Sequence, residues 1–219
     1  MNLYVGTSGY SYKEWKGTFY PEELPKKQML RFYGERFRTV EINNTFYRMP
    51  KESVLEAWAA EVPADFKFVL KASQRITHMQ RLKDAGDSVS YLLDVAGVLK
   101  ERLGPLLFQL PPYLKKDAPR LREFLALLPP NRRAAFEFRH QSWFDPEVFL
   151  LTVSEEADED PLTVVLELLH DVPAGKLAIA ELRDATPDDV SELERSGMDA
   201  VLVSHTGLGE LVQAGPPEV

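Results

Sequence analysis

Short apolar segments alternate along this chain with longer amphipathic ones. That order is the mark of βαβ units, in which a helix covers each strand before the next begins, and it selects a parallel sheet. The predicted strands are Leu3–Thr7, Thr39–Asn43, Phe66–Lys71, Leu106–Leu110, Ala134–Arg139, Val148–Ser154, Lys176–Glu181 and Ala200–Ser204. The predicted helices are Gln28–Phe37, Glu52–Glu61, Val89–Leu103, Pro119–Leu128, Leu162–His170 and one opened by Thr186-Pro187-Asp188-Asp189 and ended at Gly197. Gly104-Pro105 reads as a stop for the third of these, and the threonine, proline and acids at 186–189 as a start for the last. Eight strands with helices between them predict an α/β fold, a (β/α)8 barrel of the TIM type, as a single domain over residues 1–219. The link between the fifth and sixth strands is only about eight residues, short for a crossover helix. The barrel is therefore expected to be irregular after strand five, or the sixth strand to lie elsewhere.

In a strand, successive side chains point to opposite faces. Val40 and Ile42 share one face while Glu41 and Asn43 share the other. Lys71 ends the third strand opposite Leu70, Gln109 stands between Phe108 and Leu110, and Glu137 and Arg139 alternate with Phe136 and Phe138. The apolar set suits the outer helices. The polar set then points into the barrel at the C-terminal strand ends, where such folds carry their functional residues. Glu41, Glu137 and Lys71 are the candidate catalytic groups. Asn43, Gln109 and Arg139 are candidate ligand contacts. Two carboxylates with a lysine and an arginine form either a ligand site or a paired polar layer that plugs the barrel, since buried charge is costly unless paired.

Aromatic and imidazole side chains flank these ends: Tyr10, Trp15, Phe46, Tyr47, His78, His140 and Trp143. Tyr47 and Trp143 are candidates to stack on a ring or sugar, or else they pack. His78 and His140 are candidate acid/base groups. No HxH or HxxxH spacing suggests a metal, and neither a metal nor a cofactor is expected. There is no P-loop, no GxGxxG after a strand and no GxSxG elbow.

The chain has no cysteine, which excludes thiol chemistry and disulfides. No apolar run approaches the roughly 20 residues of a membrane span, and Met1–Gly6 lacks the basic and apolar regions of a signal peptide. A monomer in the cytoplasm is expected. Formal net charge is −8, unevenly spread. Residues 151–219 hold 16 acidic and 3 basic residues, a balance of −13, against 18 and 23, or +5, in residues 1–150. Nucleic-acid binding rests only on that +5 and its aromatics, which makes it the weakest functional reading.

The strand-end residues resemble the YecE-like family. The matching motifs are Gly6-Thr7-Ser8-Gly9-Tyr10 with Trp15 and Phe19-Tyr20-Pro21, then Thr39-Val40-Glu41-Ile42-Asn43-Asn44-Thr45-Phe46-Tyr47. Lys71-Ala72-Ser73 with Ile76-Thr77-His78 follows, then Leu103-Gly104-Pro105 through Phe108-Gln109-Leu110-Pro111-Pro112, and Glu137-Phe138-Arg139-His140 with Ser142-Trp143. The resemblance covers roughly residues 1–150 and implies a TIM-type barrel; it implies no reaction. Past residue 150 the family's aromatic-rich segment and late Asn-Asn strand end are missing. Residues 173–203 instead resemble the last two βα units of indole-3-glycerol phosphate synthase-like barrels, which hold a substrate phosphate on glycine-rich turns and a helix N-terminus. Here Leu182-Arg183-Asp184 replaces the expected Ser-Gly turn and Ser204 the expected glycine, though Ser204, Thr206 and Gly207 still offer donors.

Three readings follow. The first is a barrel whose mouth binds a small anionic or phosphorylated ligand. Lys71 and Arg139 would hold the anion, Glu41 or Glu137 would exchange protons, and Asn43, Gln109, Tyr47, His140, Trp143 and Ser204 would complete the contacts. The second is a chimeric barrel without catalysis, recombined or engineered near residue 150. The third is a nucleic-acid-associated protein.

Overall fold

The computed structural model describes residues 4–129 and 132–143 and the strands at 178–180 and 200–204. Among the described residues seven strands lie in one sheet: β1 (Tyr4–Ser8), β2 (Thr39–Ile42), β3 (Lys67–Lys71), β4 (Leu103–Gln109), β5 (Ala134–Glu137), β6 (Ala178–Ala180) and β7 (Ala200–Ser204). Their order is β5-β4-β3-β2-β1-β7-β6, and every pairing is parallel. The fold is α/β, as the alternating segments predict. The proposed strand Val148–Ser154 and the helices at 162–170 and 186–197 lie outside the described residues.

Alternation along the strands divides the apolar residues between two faces. Val40, Ile42, Phe68, Leu70, Leu106 and Phe108 join the helix-side core with Tyr33, Leu55, Leu92, Leu121 and Phe124. On the other face Tyr4, Val69 and Leu107 form a small cluster of their own, with Ala135 packed against it. A parallel sheet buried on both faces has this composition.

The described helices are α1 (Met29–Gly34), α2 (Asn44–Tyr47), α3 (Glu52–Glu61), α4 (Gly86–Ala96) and α5 (Ala118–Leu125). The bounds of α3 are those the sequence predicts. Others differ for physical reasons. The predicted helix over 28–37 is a 3-10 turn at Lys26–Gln28 followed by α1. The predicted helix Val89–Leu103 breaks in two: α4 ends at Ala96, a 3-10 stretch runs over Gly97–Arg102, and Lys100 takes a positive φ of 50°. Gly104-Pro105 does not end a helix but lies inside β4. The β3–β4 register explains this. Phe68 pairs with Leu103 and Leu70 with Leu106, so β4 carries one extra residue there. A bulge leaves that residue outside the ladder, which accommodates a proline with no N–H to give. Gly104 suits the close approach: a Cβ there would lie 3.0 Å from the Phe68 carbonyl oxygen.

Candidate functional site

Register decides which strand-end side chains share a face. Ser8 pairs with Glu41, Glu41 with Val69, Lys71 with Leu107, and Gln109 with Glu137. Partners in a parallel ladder share a face, and so do residues two apart. Ser8, Glu41, Lys71, Gln109 and Glu137 therefore all stand on the face of Val69 and Leu107, at its C-terminal edge.

Three clusters occupy that edge. At the ends of β1 and β2, Ser8 Oγ donates to Glu41 Oε1 at 3.0 Å, and Asn43 Nδ2 donates to Ser8 Oγ. Glu41 is buried at 4% exposure. The backbone closes round it: Gly9 N–H donates to the Glu41 carbonyl at 2.8 Å, and the Tyr12 hydroxyl donates to the Ser8 carbonyl. Gly9 has φ +82°, and a Cβ on it would meet the Tyr12 hydroxyl at 2.7 Å, so this turn requires glycine.

At the ends of β4 and β5, Gln109 Nε2 donates to Glu137 Oε2 at 2.5 Å, and Arg139 Nε donates to Glu137 Oε1 at 2.6 Å. Both Glu137 oxygens are engaged, so this carboxylate fixes the guanidinium and the amide together. β5 stops at Glu137. The strand period thus no longer applies to Arg139, which Glu137 itself holds in place.

Between them, at the end of β3, stands Lys71. It is half-buried, and among the described residues its ammonium meets the Phe46 ring, 5.6 Å from the centroid, and no carboxylate. The Thr45 hydroxyl, wholly buried, is shared between the carbonyls of Ile42 (2.8 Å) and Lys71 (2.7 Å), which ties α2 to both strand ends. His78 completes the cluster. Its ring is edge-on to Phe46 at 4.9 Å, and its Nδ1 lies 2.9 Å from the Thr77 hydroxyl. Desolvation holds the imidazole below its ordinary pKa, and the positive charges of Arg139 and Lys71 push it the same way. Both cations are therefore felt at one point.

The loop that carries His78 is irregular. A π-helical turn spans Arg75–Met79, and Arg81, Leu82 and Asp84 have φ of 51°, 67° and 50°. Such conformations persist only when the surroundings enforce them, and they concentrate at functional sites.

Other predicted contacts lie elsewhere. Trp143 is buried at 1% exposure, stacked on Phe138 at 4.9 Å, with Nε1 donating to the Leu114 carbonyl at 2.7 Å. Its indole packs the core. His140 closes a local turn: its Nδ1 accepts from Ser142 N–H at 3.1 Å, and Ser142 Oγ accepts from Lys116 N–H at 2.8 Å. Tyr47, by contrast, stays beside the Lys71 cluster: it is 71% exposed at the end of α2 and edge-on to Phe46 at 5.1 Å. Ser204 is the register partner of Thr7, not of Ser8. Sequence reasoning passed over Tyr33, whose hydroxyl bonds Thr7 beneath the site, and Tyr113, whose hydroxyl lies 3.5 Å from the His78 carbonyl. Neither follows from periodicity; only the chain's tertiary path brings them there.

Among the described residues no three His, Asp or Glu side chains converge to hold a metal ion, and no helix is long and apolar enough to cross a membrane.

A family described as "Protein of unknown function DUF72" matches residues 4–167, a stretch that crosses residue 150, where the chimeric reading puts its join. The chain is 29% identical over 160 residues to the UPF0759 protein YunF of Bacillus subtilis, covering 69% of this chain and 56% of YunF. It is 30% identical over 145 residues to the UPF0759 protein YecE of Escherichia coli, covering 65% and 50%. The chain spans about half the length of these curated relatives. Among solved structures, a DUF72 family protein of Thermotoga maritima aligns with a TM-score of 0.64 at 25% identity, over 92% of this chain and 91% of that one. Another, from Enterococcus faecalis, gives 0.68 at 15% identity over 97% and 92%, a likeness of fold alone.

Proposed function

This chain belongs to the DUF72 family, and from that premise we propose that it is a closed (β/α)8 barrel whose C-terminal mouth binds a small anionic ligand. Strand order supports closure. A barrel needs its first strand between the second and the last, and β1 stands between β2 and β7. Every pairing among the described strands is also parallel, as the TIM fold requires.

One observation carries the anion reading. Lys71 is a half-buried cation with no carboxylate beside it among the described residues, and its charge adds to that of Arg139 at His78. A half-buried cation with no carboxylate beside it is free to pair with an incoming anion, and such charged hydrogen bonds are the strong ones. Lys71 and Arg139 hold the anion in this reading. Gln109 and Asn43 orient the ligand. Glu41 and Glu137, one bonded to Ser8 and the other to Arg139, are the groups able to exchange a proton with it.

The test is a thermal-shift and calorimetric screen with phosphorylated metabolites on the wild type and on Lys71→Met, which keeps most of the stem and removes the charge. A ligand that binds only the native state raises its melting temperature. We expect at least one phosphorylated compound to stabilise the wild type, and Lys71→Met to weaken it tenfold or more, as loss of a charged hydrogen bond of about 1.5–3 kcal/mol predicts. Equal binding to both proteins would refute the assignment.

A further inference from the structure

We propose that the rings beside Lys71 make the ligand of this mouth a planar heterocycle joined to an anionic group, a nucleoside monophosphate in chemical class, with the ring on the aromatic wall and the phosphate at Lys71. This rests on the anion reading above and adds the second half of the ligand.

The wall is contiguous. Tyr47 stands across Phe46 at 5.1 Å and 89°, and His78 stands across it at 4.9 Å and 85°. Tyr113 reaches the same loop through its hydroxyl, 3.5 Å from the His78 carbonyl. Lys71 Nζ lies over the Phe46 ring, 5.6 Å from its centroid, and Tyr47 contacts that same ring, so one side chain touches both the cation and the exposed ring.

Exposure marks this end of the sheet. The exposed large apolar side chains among the described residues include Tyr12, Tyr47, Met79 and Tyr113, which follow β1, β2, β3 and β4 in turn; only Val54, Tyr91 and Leu127 lie elsewhere. Tyr47 is 71% exposed and Tyr113 61%, so each has an open ring face. Single exposed apolar residues are ordinary, but here an exposed ring, Tyr47, and the His78 imidazole both stand edge-on to the ring that lies under a cation. The backbone holds it at a cost: the π-helical turn and the left-handed Arg81, Leu82 and Asp84 form the loop that presents His78 and Met79. A flat π-face beside a cation matches a base beside a phosphate. A sugar phosphate without an aromatic base would leave the wall unused.

The experiment is calorimetric titration of the whole chain with adenosine monophosphate and with ribose 5-phosphate. The proteins are wild type, Lys71→Met and the double variant Tyr47→Leu/Tyr113→Leu at two exposed positions, with circular dichroism confirming that each folds. We expect wild type to bind the nucleotide about tenfold or more tightly than ribose 5-phosphate, the range aromatic stacking on a base gives. The double variant should bring the two probes to equal affinity while leaving ribose 5-phosphate unchanged, and Lys71→Met should weaken both. Equal affinities in the wild type, with a silent double variant, overturn the ring assignment alone, because ribose 5-phosphate bound through Lys71 keeps the anion reading. Failure of both probes to bind wild type overturns both.

Discussion

Tyr33→Phe is the sharpest test of how the site is supported, because it removes one oxygen and keeps the ring. Tyr33 is fully buried. Its hydroxyl accepts the Thr7 N–H at 2.9 Å, lies 2.9 Å from Thr7 Oγ1, and donates to the Thr39 carbonyl at 3.0 Å. It therefore bridges β1 and β2 one residue before Ser8 and two before Glu41. Thr7 Oγ1 has a second outlet in the Gly9 carbonyl at 2.6 Å. The Thr7 N–H and the Thr39 carbonyl lose a partner outright. An unsatisfied buried donor costs about 1–3 kcal/mol, and a carbonyl with a second lone pair engaged costs less. Burying a phenyl ring instead of a phenol returns part of this, so the net loss should be about 2–3 kcal/mol. For a chain of this size that lowers the melting temperature by about 4–12 °C. Urea denaturation is the cleaner assay: the midpoint should fall with the slope unchanged, since the surface exposed on unfolding stays the same. A Thr7→Val companion completes a double-mutant cycle, and a coupling of at least 0.5 kcal/mol is expected between residues that share a bond. A loss below about 0.5 kcal/mol for Tyr33→Phe would mean that Thr7 N–H finds another partner, and the argument would fail.

Two further outcomes follow from the same geometry. Gly6→Ala should cost about 3 kcal/mol or prevent folding, because the new Cβ would lie 2.1 Å from the Thr39 carbonyl oxygen and neither strand backbone can yield; circular dichroism melts measure it, and near-native stability would refute the packing. The pKa of His78 is depressed in the folded protein, with desolvation the first cause and Arg139 and Lys71 after it. Below the ordinary value of about 6.5 the unfolded chain then binds more protons, so this residue's contribution is lost as pH falls from there towards the folded pKa. His78→Gln should flatten that decline, and an NMR titration of the ring should place its midpoint below the ordinary value; a midpoint at or above it would contradict the cationic surroundings.

How much of the fold was legible follows from what periodicity can carry. Strands report themselves through alternation, and β2, with Val40 and Ile42 against the helices and Glu41 on the other face, is located almost to the residue. Helix ends are weaker signals because one dipeptide serves two purposes. Gly104-Pro105 stops a helix, yet it equally suits a strand that bulges, where no N–H is wanted and a neighbour comes within 3.0 Å. Only pairing with β3 separates the two, and pairing is not written in the local sequence.

The site divides along the same line. Glu41, Lys71, Gln109 and Glu137 were readable because each stands inside or at the end of a strand, where parity fixes the face. Past the last strand residue parity loses its meaning, which is why His140 and Trp143 belong to a turn and to the core while Arg139 stays at the edge. The difference is a tether: Glu137 Oε1 holds Arg139 at 2.6 Å, whereas Trp143 is drawn inward by Phe138 and the Leu114 carbonyl. The tether also binds the two charges of β5 into one unit. Glu137 pairs with Arg139, so of these two strand-end cations Lys71, on the neighbouring strand but one, is the one with no carboxylate partner among the described residues. On the anion reading proposed above, an anion entering this edge would be drawn first by Lys71, and Arg139 would join it only as its bond to Glu137 is shared, so Lys71→Met is the variant that tests that reading most directly.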